Sequence, residues 1–133
     1  MVEEGSEGPL QLVMPAEPAS VPVLRHRASR FATEHGLGGG VVGDVALAVS
    51  EAVTNAVKYA DATGADGVVE LSGALQGDWL EVTVRDRGEA FGRETADGLG
   101  LGLAIIARLC AEMKIVQEGD GTEVRMRFPL PVE

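Results

Sequence analysis

Two segments of the chain alternate strictly between apolar and polar side chains, and this pattern restricts the fold more than any other feature. Leu80, Val82 and Val84 alternate with polar residues in one segment, and residues 123–128 repeat the pattern in the other. Because successive side chains of a strand point to opposite faces, both segments predict strands with one buried face. A half-buried sheet needs a covering layer on one side only, which favours helices packed on that side.

The remaining periodicities complete a two-layer arrangement. Strands are predicted at residues 10–14, 67–75, 79–85, 114–117 and 122–128, and helices at 20–35 (with Ser20 as N-cap), 44–60 and 99–113. This order predicts an α/β two-layer sandwich, with three helices on one face of a mixed, mostly antiparallel sheet. Residues 9–130 are expected to form this single domain, after a flexible acidic leader at residues 1–8.

The acidic net charge of the chain restricts which ligands and partners are expected. The formal net charge of −10 argues against nucleic-acid binding, which needs clustered Lys and Arg to neutralise phosphates. It does not argue against a single nucleotide, because backbone amides and a metal ion hold phosphates locally. An acidic surface suits a basic protein partner, and it equally serves solubility.

The sequence also predicts a cytoplasmic protein that is not a membrane protein. No apolar stretch is expected to approach the ~20 residues that cross a bilayer, and the first ten residues lack the basic and apolar regions of a signal peptide. Cys110 is the single cysteine, so an internal disulfide and a multi-cysteine metal site are excluded. Because Cys110 lies in an apolar helical pattern, it is expected to be a buried packing residue.

Three polar residues recur on one side of the second predicted helix. Glu51, Asn55 and Lys58 stand at positions i, i+4 and i+7 of AVSEAVTNAVKYA, so they share a face. An isolated pattern of this kind is typical of a solvated helix face. The alternative is a metal site, in which Asn55 supplies a neutral oxygen to Mg²⁺, an ion that takes few protein ligands. Glu51 is then the candidate general base.

An acidic turn and a glycine series follow in the chain. Asp86 ends a predicted strand, where it is either a local turn acid or a hydrogen-bond acceptor for an amino group such as that of adenine. Gly98, Gly100 and Gly102 open the third helix, where glycines let backbone N–H groups approach phosphates. The spacing is neither that of a Rossmann turn nor that of a Walker loop.

Taken together, these segments resemble the GHKL ATPase superfamily. AVSEAVTNAVKYA resembles its N box, VRDRGEAF its G1 box, DGLGLGLAII its G2 box and GTEVRMRFPL its closing strand. Residues 50–56 match the pattern S-E-A-x-x-N-A, which resembles the N box of bacterial anti-sigma-factor serine kinases. The resemblance implies a kinase that uses ATP and Mg²⁺, binds a sigma factor and phosphorylates a serine on an anti-sigma-factor antagonist. It also suggests a homodimer, formed through the sheet edge or the first helix.

The resemblance assigns roles to individual residues. It implies that Glu51 is the general base, Asn55 the Mg²⁺ ligand and Asp86 the adenine anchor, which Thr122 supports. The residues expected to bind the nucleotide are Asn55, Lys58, Asp86, Gly88, Gly98, Gly100, Gly102 and Thr122. Residues 88–98 are expected to form a short lid that orders over the phosphates. Ala90 departs from the family pattern. Arg93 is the only residue of this lid able to offer a positive charge to the γ-phosphate, but a solvated loop arginine is the favoured interpretation.

Two other functions fit parts of the pattern. A regulatory module could bind ATP and sequester a partner without phosphorylating it, but such a module has no need for a base at Glu51. A free-standing histidine-kinase catalytic domain is disfavoured, because His26 and His35 lie on one predicted helix rather than on a phosphorylated helical hairpin.

Overall fold

The fold consists of a five-stranded sheet with helices on one face. The computed structural model describes residues 9–63, 67–86, 99–118 and 121–131, and the expected leader at residues 1–8 lies outside them. Within this part of the chain the elements are β1 (Leu10–Pro15), α1 (Ser20–Glu34), α2 (Gly39–Thr63), β2 (Val68–Gln76), β3 (Trp79–Asp86), α3 (Leu99–Leu109), β4 (Glu112–Glu118) and β5 (Gly121–Pro129). The strand order is β1-β2-β3-β5-β4, and each described pairing is antiparallel. The predicted two-layer α/β architecture is confirmed.

The alternation in β3 and β5 produces the core. Facing apolar pairs across these strands are Leu80 with Phe128, Val82 with Met126 and Val84 with Val124, and all of them are buried beneath the helices. On the opposite face of the sheet Arg127 donates to Glu81 at 3.1 Å and to Glu112 at 3.4 Å. Ion pairs at such exposed positions contribute little stability individually. They keep this face polar, as the alternation predicts.

Helix α2 begins at Gly39, five residues before the predicted start at Asp44. Gly38 accepts a hydrogen bond from the Val42 amide at 2.9 Å, and Val41 and Val42 pack against the core. Burial of these valines outweighs the low helix propensity of the surrounding glycines. From Gly39 to Ala60 the helix is long and apolar enough to span a membrane by length and composition. In the fold it is the central core helix, in contact with α1, α3 and the sheet.

Two predicted boundaries are corrected by local hydrogen bonding. The N-cap of α1 is Ala19, which makes no side-chain capping bond, and the hydroxyl of Ser20 instead donates to the carbonyl of Pro15 at 2.7 Å. Helix α3 ends at Leu109 rather than near residue 113. The Ala111 amide donates to the carbonyl of Arg127 at 2.9 Å, so the chain has already joined the sheet there.

Candidate nucleotide and magnesium site

A buried carboxylate lies where two neighbouring strands meet at one end of the sheet. Asp86 ends β3, Thr122 is near the start of β5, and the antiparallel register makes them direct partners. Val69 of β2 lies on the other side of Asp86. Asp86 is only 5% exposed and Thr122 is fully buried. Burying a polar group costs free energy unless the group is hydrogen-bonded. The burial of Asp86 therefore favours its interpretation as a hydrogen-bond acceptor over that as a solvent-exposed turn acid.

The second polar group of the site is a carboxamide held between two helices. Asn55 of α2 is 3% exposed, and its Nδ2 has no hydrogen-bond partner in the part of the chain that the structure describes. Gly102 of α3 lies directly against it, because a Cβ at this glycine would come within 2.7 Å of Nδ2. An amide with unused hydrogen-bonding capacity is suited to a ligand. Its oxygen is a donor atom that Mg²⁺ accepts, and its N–H group can donate to a phosphate or a water.

The other two residues predicted on this side of α2 are progressively more exposed. Glu51, one turn before Asn55, is half-buried, and Lys58 is exposed. The helix therefore does not present one uniformly solvated face, because α3 covers Asn55 and leaves Lys58 in water. A half-buried carboxylate remains able to exchange a proton with a bound substrate, as a general base must.

The glycines predicted for phosphate binding are only partly within the described residues. Gly102 lies in α3, and α3 begins at Leu99 as predicted. Gly100 belongs to the first turn of this helix, where backbone N–H groups of a helix have no intrahelical partner. Gly88 and Gly98 lie outside the described residues. The predicted lid at residues 88–98, with Ala90 and Arg93, also lies outside them.

The sequence interpretation missed a supporting arrangement behind Asp86. A Cβ at Gly121 would lie 2.6 Å from Nη2 of Arg85 and 3.1 Å from the carbonyl oxygen of Asp86. The space left by this glycine admits the Arg85 guanidinium, which pairs with Glu123 at 2.9 Å. The predicted strand begins at residue 122, whereas β5 begins at Gly121. The position of this glycine directly before Thr122 was the available signal.

Cys110 is a core residue and not part of this site. The Cys110 side chain is 9% exposed, and its thiol donates to the carbonyl of Ile106 at 3.2 Å. Burial raises the pKa of the Cys110 thiol, so the nucleophilic thiolate is disfavoured. The predicted packing role of Cys110 is confirmed. Among the described residues no group of three or more His, Cys, Asp or Glu side chains is placed to hold a metal ion. A magnesium site built on one amide therefore depends on phosphate and water for its other ligands.

Known proteins are similar to this chain in sequence and in fold. The family model described as histidine kinase-like ATPase domain matches residues 14–128. The chain is 32% identical to the serine-protein kinase RsbW of Listeria monocytogenes serovar 1/2a, over 88% of this chain and 84% of that protein. It is also 32% identical to RsbW of Bacillus subtilis strain 168, over 88% and 82%.

A solved structure is also similar. The crystal structure of the RsbU and RsbW domains of Rv1364c from Mycobacterium tuberculosis matches 92% of this chain, with a TM-score of 0.74 and 27% identity. The match spans 32% of that longer chain.

Proposed function

Because this chain belongs to the histidine kinase-like ATPase domain family, we propose that it is an ATP-dependent protein serine kinase acting as a cytoplasmic anti-sigma factor. In this role it binds a sigma factor and phosphorylates a serine of an anti-sigma-factor antagonist, and it acts as a homodimer. The relatives named serine-protein kinase RsbW support the reaction class. The observation that carries the proposal is the half-buried Glu51 one helical turn from the buried amide of Asn55. A pure binding module needs no such carboxylate.

Adenine recognition falls to the end of the sheet. Asp86 accepts a hydrogen bond from the adenine 6-amino group, and Thr122 is its neighbour across the β3–β5 ladder. Guanine carries an oxygen acceptor at the equivalent position. Two acceptors facing each other in a buried site leave both unsatisfied, which disfavours GTP.

The phosphates lie between α2 and α3 in this proposal. The Asn55 oxygen is the protein ligand of Mg²⁺, and the exposed Lys58 adds positive charge on the same side of α2. When bound, Mg²⁺ would neutralise the negative charge that develops on the phosphate oxygens. The N–H groups in the first turn of α3, which have no intrahelical partner, favour anionic oxygens.

Glu51 activates the protein substrate. Its carboxylate accepts the proton of the serine hydroxyl as that oxygen attacks the γ-phosphorus of ATP. The new oxygen–phosphorus bond forms while the bond from the γ-phosphorus to the bridging oxygen breaks, which releases ADP. The products are phosphoserine, ADP and the proton held by Glu51.

The test is transfer of ³²P from γ-labelled ATP to candidate antagonist proteins encoded in the same genome. We expect labelled phosphoserine with the native chain, and a rate lowered by roughly 10² to 10⁴ in Glu51→Ala, the range for a positioned general base. ATP affinity should stay within a few-fold of the native value, because Glu51 acts on the hydroxyl and not on the nucleotide.

Asp44→Ala is the matched control, because it removes an acid from the same helix about two turns earlier. It should leave transfer unchanged. If Glu51→Ala abolished ATP binding, Glu51 would be a structural residue and not the base. A native chain that bound ATP and sequestered the antagonist without labelling it would be a regulatory binding module instead.

A further inference from the structure

Helices α2 and α3 are in tight contact at the proposed magnesium ligand. A Cβ at Gly102 would lie 2.7 Å from Nδ2 of Asn55, 3.2 Å from Oδ1 and 3.3 Å from Cγ. Non-bonded heavy atoms are at their best separation near ~3.5–4.0 Å, so a methyl group here would collide with Nδ2 and crowd Oδ1 and Cγ. The backbone at Gly102 therefore forms one wall of the space that the carboxamide occupies.

Neither helix is free to retreat from this contact. Ile106, one turn after Gly102, is fully buried, and Ala52 and Ala56 on either side of Asn55 are buried too. Close-packed interiors resist displacement of whole helices. A methyl group at position 102 would therefore be relieved mainly by rotation of the Asn55 side chain, the one component of the contact with a rotatable bond.

We propose that Gly102 is a positioning residue for magnesium, acting through the side chain of Asn55. This inference rests on the proposed function and refines the role of Gly102, which the sequence assigned to the phosphate path. The missing side chain lets α3 press against the amide group and fixes the direction of its oxygen. A metal ligand held in one orientation binds without the entropic cost of ordering it.

Magnesium dependence separates this role from a general role in nucleotide binding. ATP affinity would be measured by calorimetry for the native chain and for Gly102→Ala, in EDTA and in MgCl₂. We expect the affinity in EDTA to change by no more than about threefold. The enhancement by Mg²⁺ should fall roughly tenfold or more, as found when groups that orient metal ligands are altered.

Two further variants complete the design. Gly43→Ala is the control, because Gly43 is an exposed glycine of α2 with no atom within 4 Å of an added Cβ, and it should preserve the enhancement. In an Asn55→Ala background the added methyl group has no amide to displace. Gly102→Ala should then have no additional effect on the magnesium dependence, because residues acting through one contact are not additive.

Several outcomes would overturn the inference. Equal losses in EDTA and in MgCl₂ would mean that Gly102 acts on the phosphates, and a full enhancement in Gly102→Ala would mean that it does not position Asn55. If Gly102→Ala failed to fold, the double variant with Asn55→Ala should regain the native melting temperature, and failure to regain it would place the collision elsewhere.

If Mg²⁺ had no effect on the native chain, or if Asn55→Ala kept the full enhancement, the proposed metal site itself would be wrong. Both results would be obtained without any substitution at Gly102, so they test the proposed function separately from the role of Gly102.

Discussion

Burial determines how strongly an individual polar residue of this protein can discriminate between ligands. Asp86 and Asn55 are 5% and 3% exposed, while Lys58 lies in water. A buried acceptor or amide discriminates between ligands, because the wrong ligand leaves it unsatisfied at a cost of about 1–3 kcal/mol. An exposed group is solvated in either case. Specificity is therefore expected to reside in Asp86 and Asn55, with Lys58 contributing charge alone.

Replacing Asp86 with Asn should weaken ATP binding by roughly tenfold or more, because an amide turned to present its N–H₂ would face the adenine amino group donor to donor. The native chain should bind GTP much more weakly than ATP. Both are measured by calorimetry. Asp78→Asn is the control, because Asp78 is an exposed acid in the turn between β2 and β3. Equal affinity of the native chain for ATP and GTP would remove Asp86 from the role of adenine anchor.

Sequence reasoning located these residues but did not predict their surroundings. The strand pattern before Asp86 and the helical spacing of Glu51 and Asn55 are local features, so the motifs could be read directly. That Asn55 is buried depends on α3, which begins more than forty residues later and covers it at Gly102. Helical periodicity describes one element alone and cannot state which side a distant element will cover.

The boundaries of the helices and strands were likewise predicted where the local sequence sets them and missed where tertiary contacts set them. The starts of β3 and α3 agree with the predicted positions, because alternation and a glycine-to-apolar transition are strong local signals. The start of α2 did not agree, because tertiary burial of Val41 and Val42 overrode the glycine-rich local sequence. The end of α3 was set by pairing with β5, a contact that its own sequence does not encode.

One contact between elements depends on a glycine in β2. A Cβ at Gly73 would lie 2.8 Å from Cε2 of Phe31, and 3.1 Å from its Cδ2. Phe31 of α1 is 3% exposed and belongs to the close-packed core. Gly73→Ala should therefore lower the free energy of unfolding by about 1–3 kcal/mol, the usual cost of overpacking.

Chemical denaturation measures this effect. Ser72→Ala is the matched control, because Ser72 is the adjacent residue and points to the opposite face of the sheet. It should change the free energy of unfolding by no more than about 0.5 kcal/mol. If the two variants were equally stable, the packing of α1 on β2 would be looser than the distance to Phe31 indicates.

At the scale of the whole molecule, the proposed site is assembled from elements that are distant in the chain. Glu51 and Asn55 come from α2, Gly102 from α3, Asp86 from β3 and Thr122 from β5. The helices and the sheet share one apolar core that extends from Leu10 to Phe128. A ligand that contacts all four elements binds only the folded state, so its binding energy stabilises the complete domain.

MgATP should therefore raise the melting temperature of the protein in a single cooperative transition. At a ligand concentration of about 100 times Kd, the expected stabilisation is about 2.7 kcal/mol, and it should increase with the logarithm of concentration. Calorimetric scans with MgATP, MgGTP and no nucleotide measure it. Asp86→Asn should lose about half of the shift or more, because a tenfold lower affinity leaves the ligand at only about 10 times Kd. Equal shifts with MgATP and MgGTP would indicate binding through the phosphates alone. Two separate transitions, of which only one responded to nucleotide, would mean that α2, α3, β3 and β5 do not unfold as one unit. The nucleotide would then contact fewer of these elements than proposed.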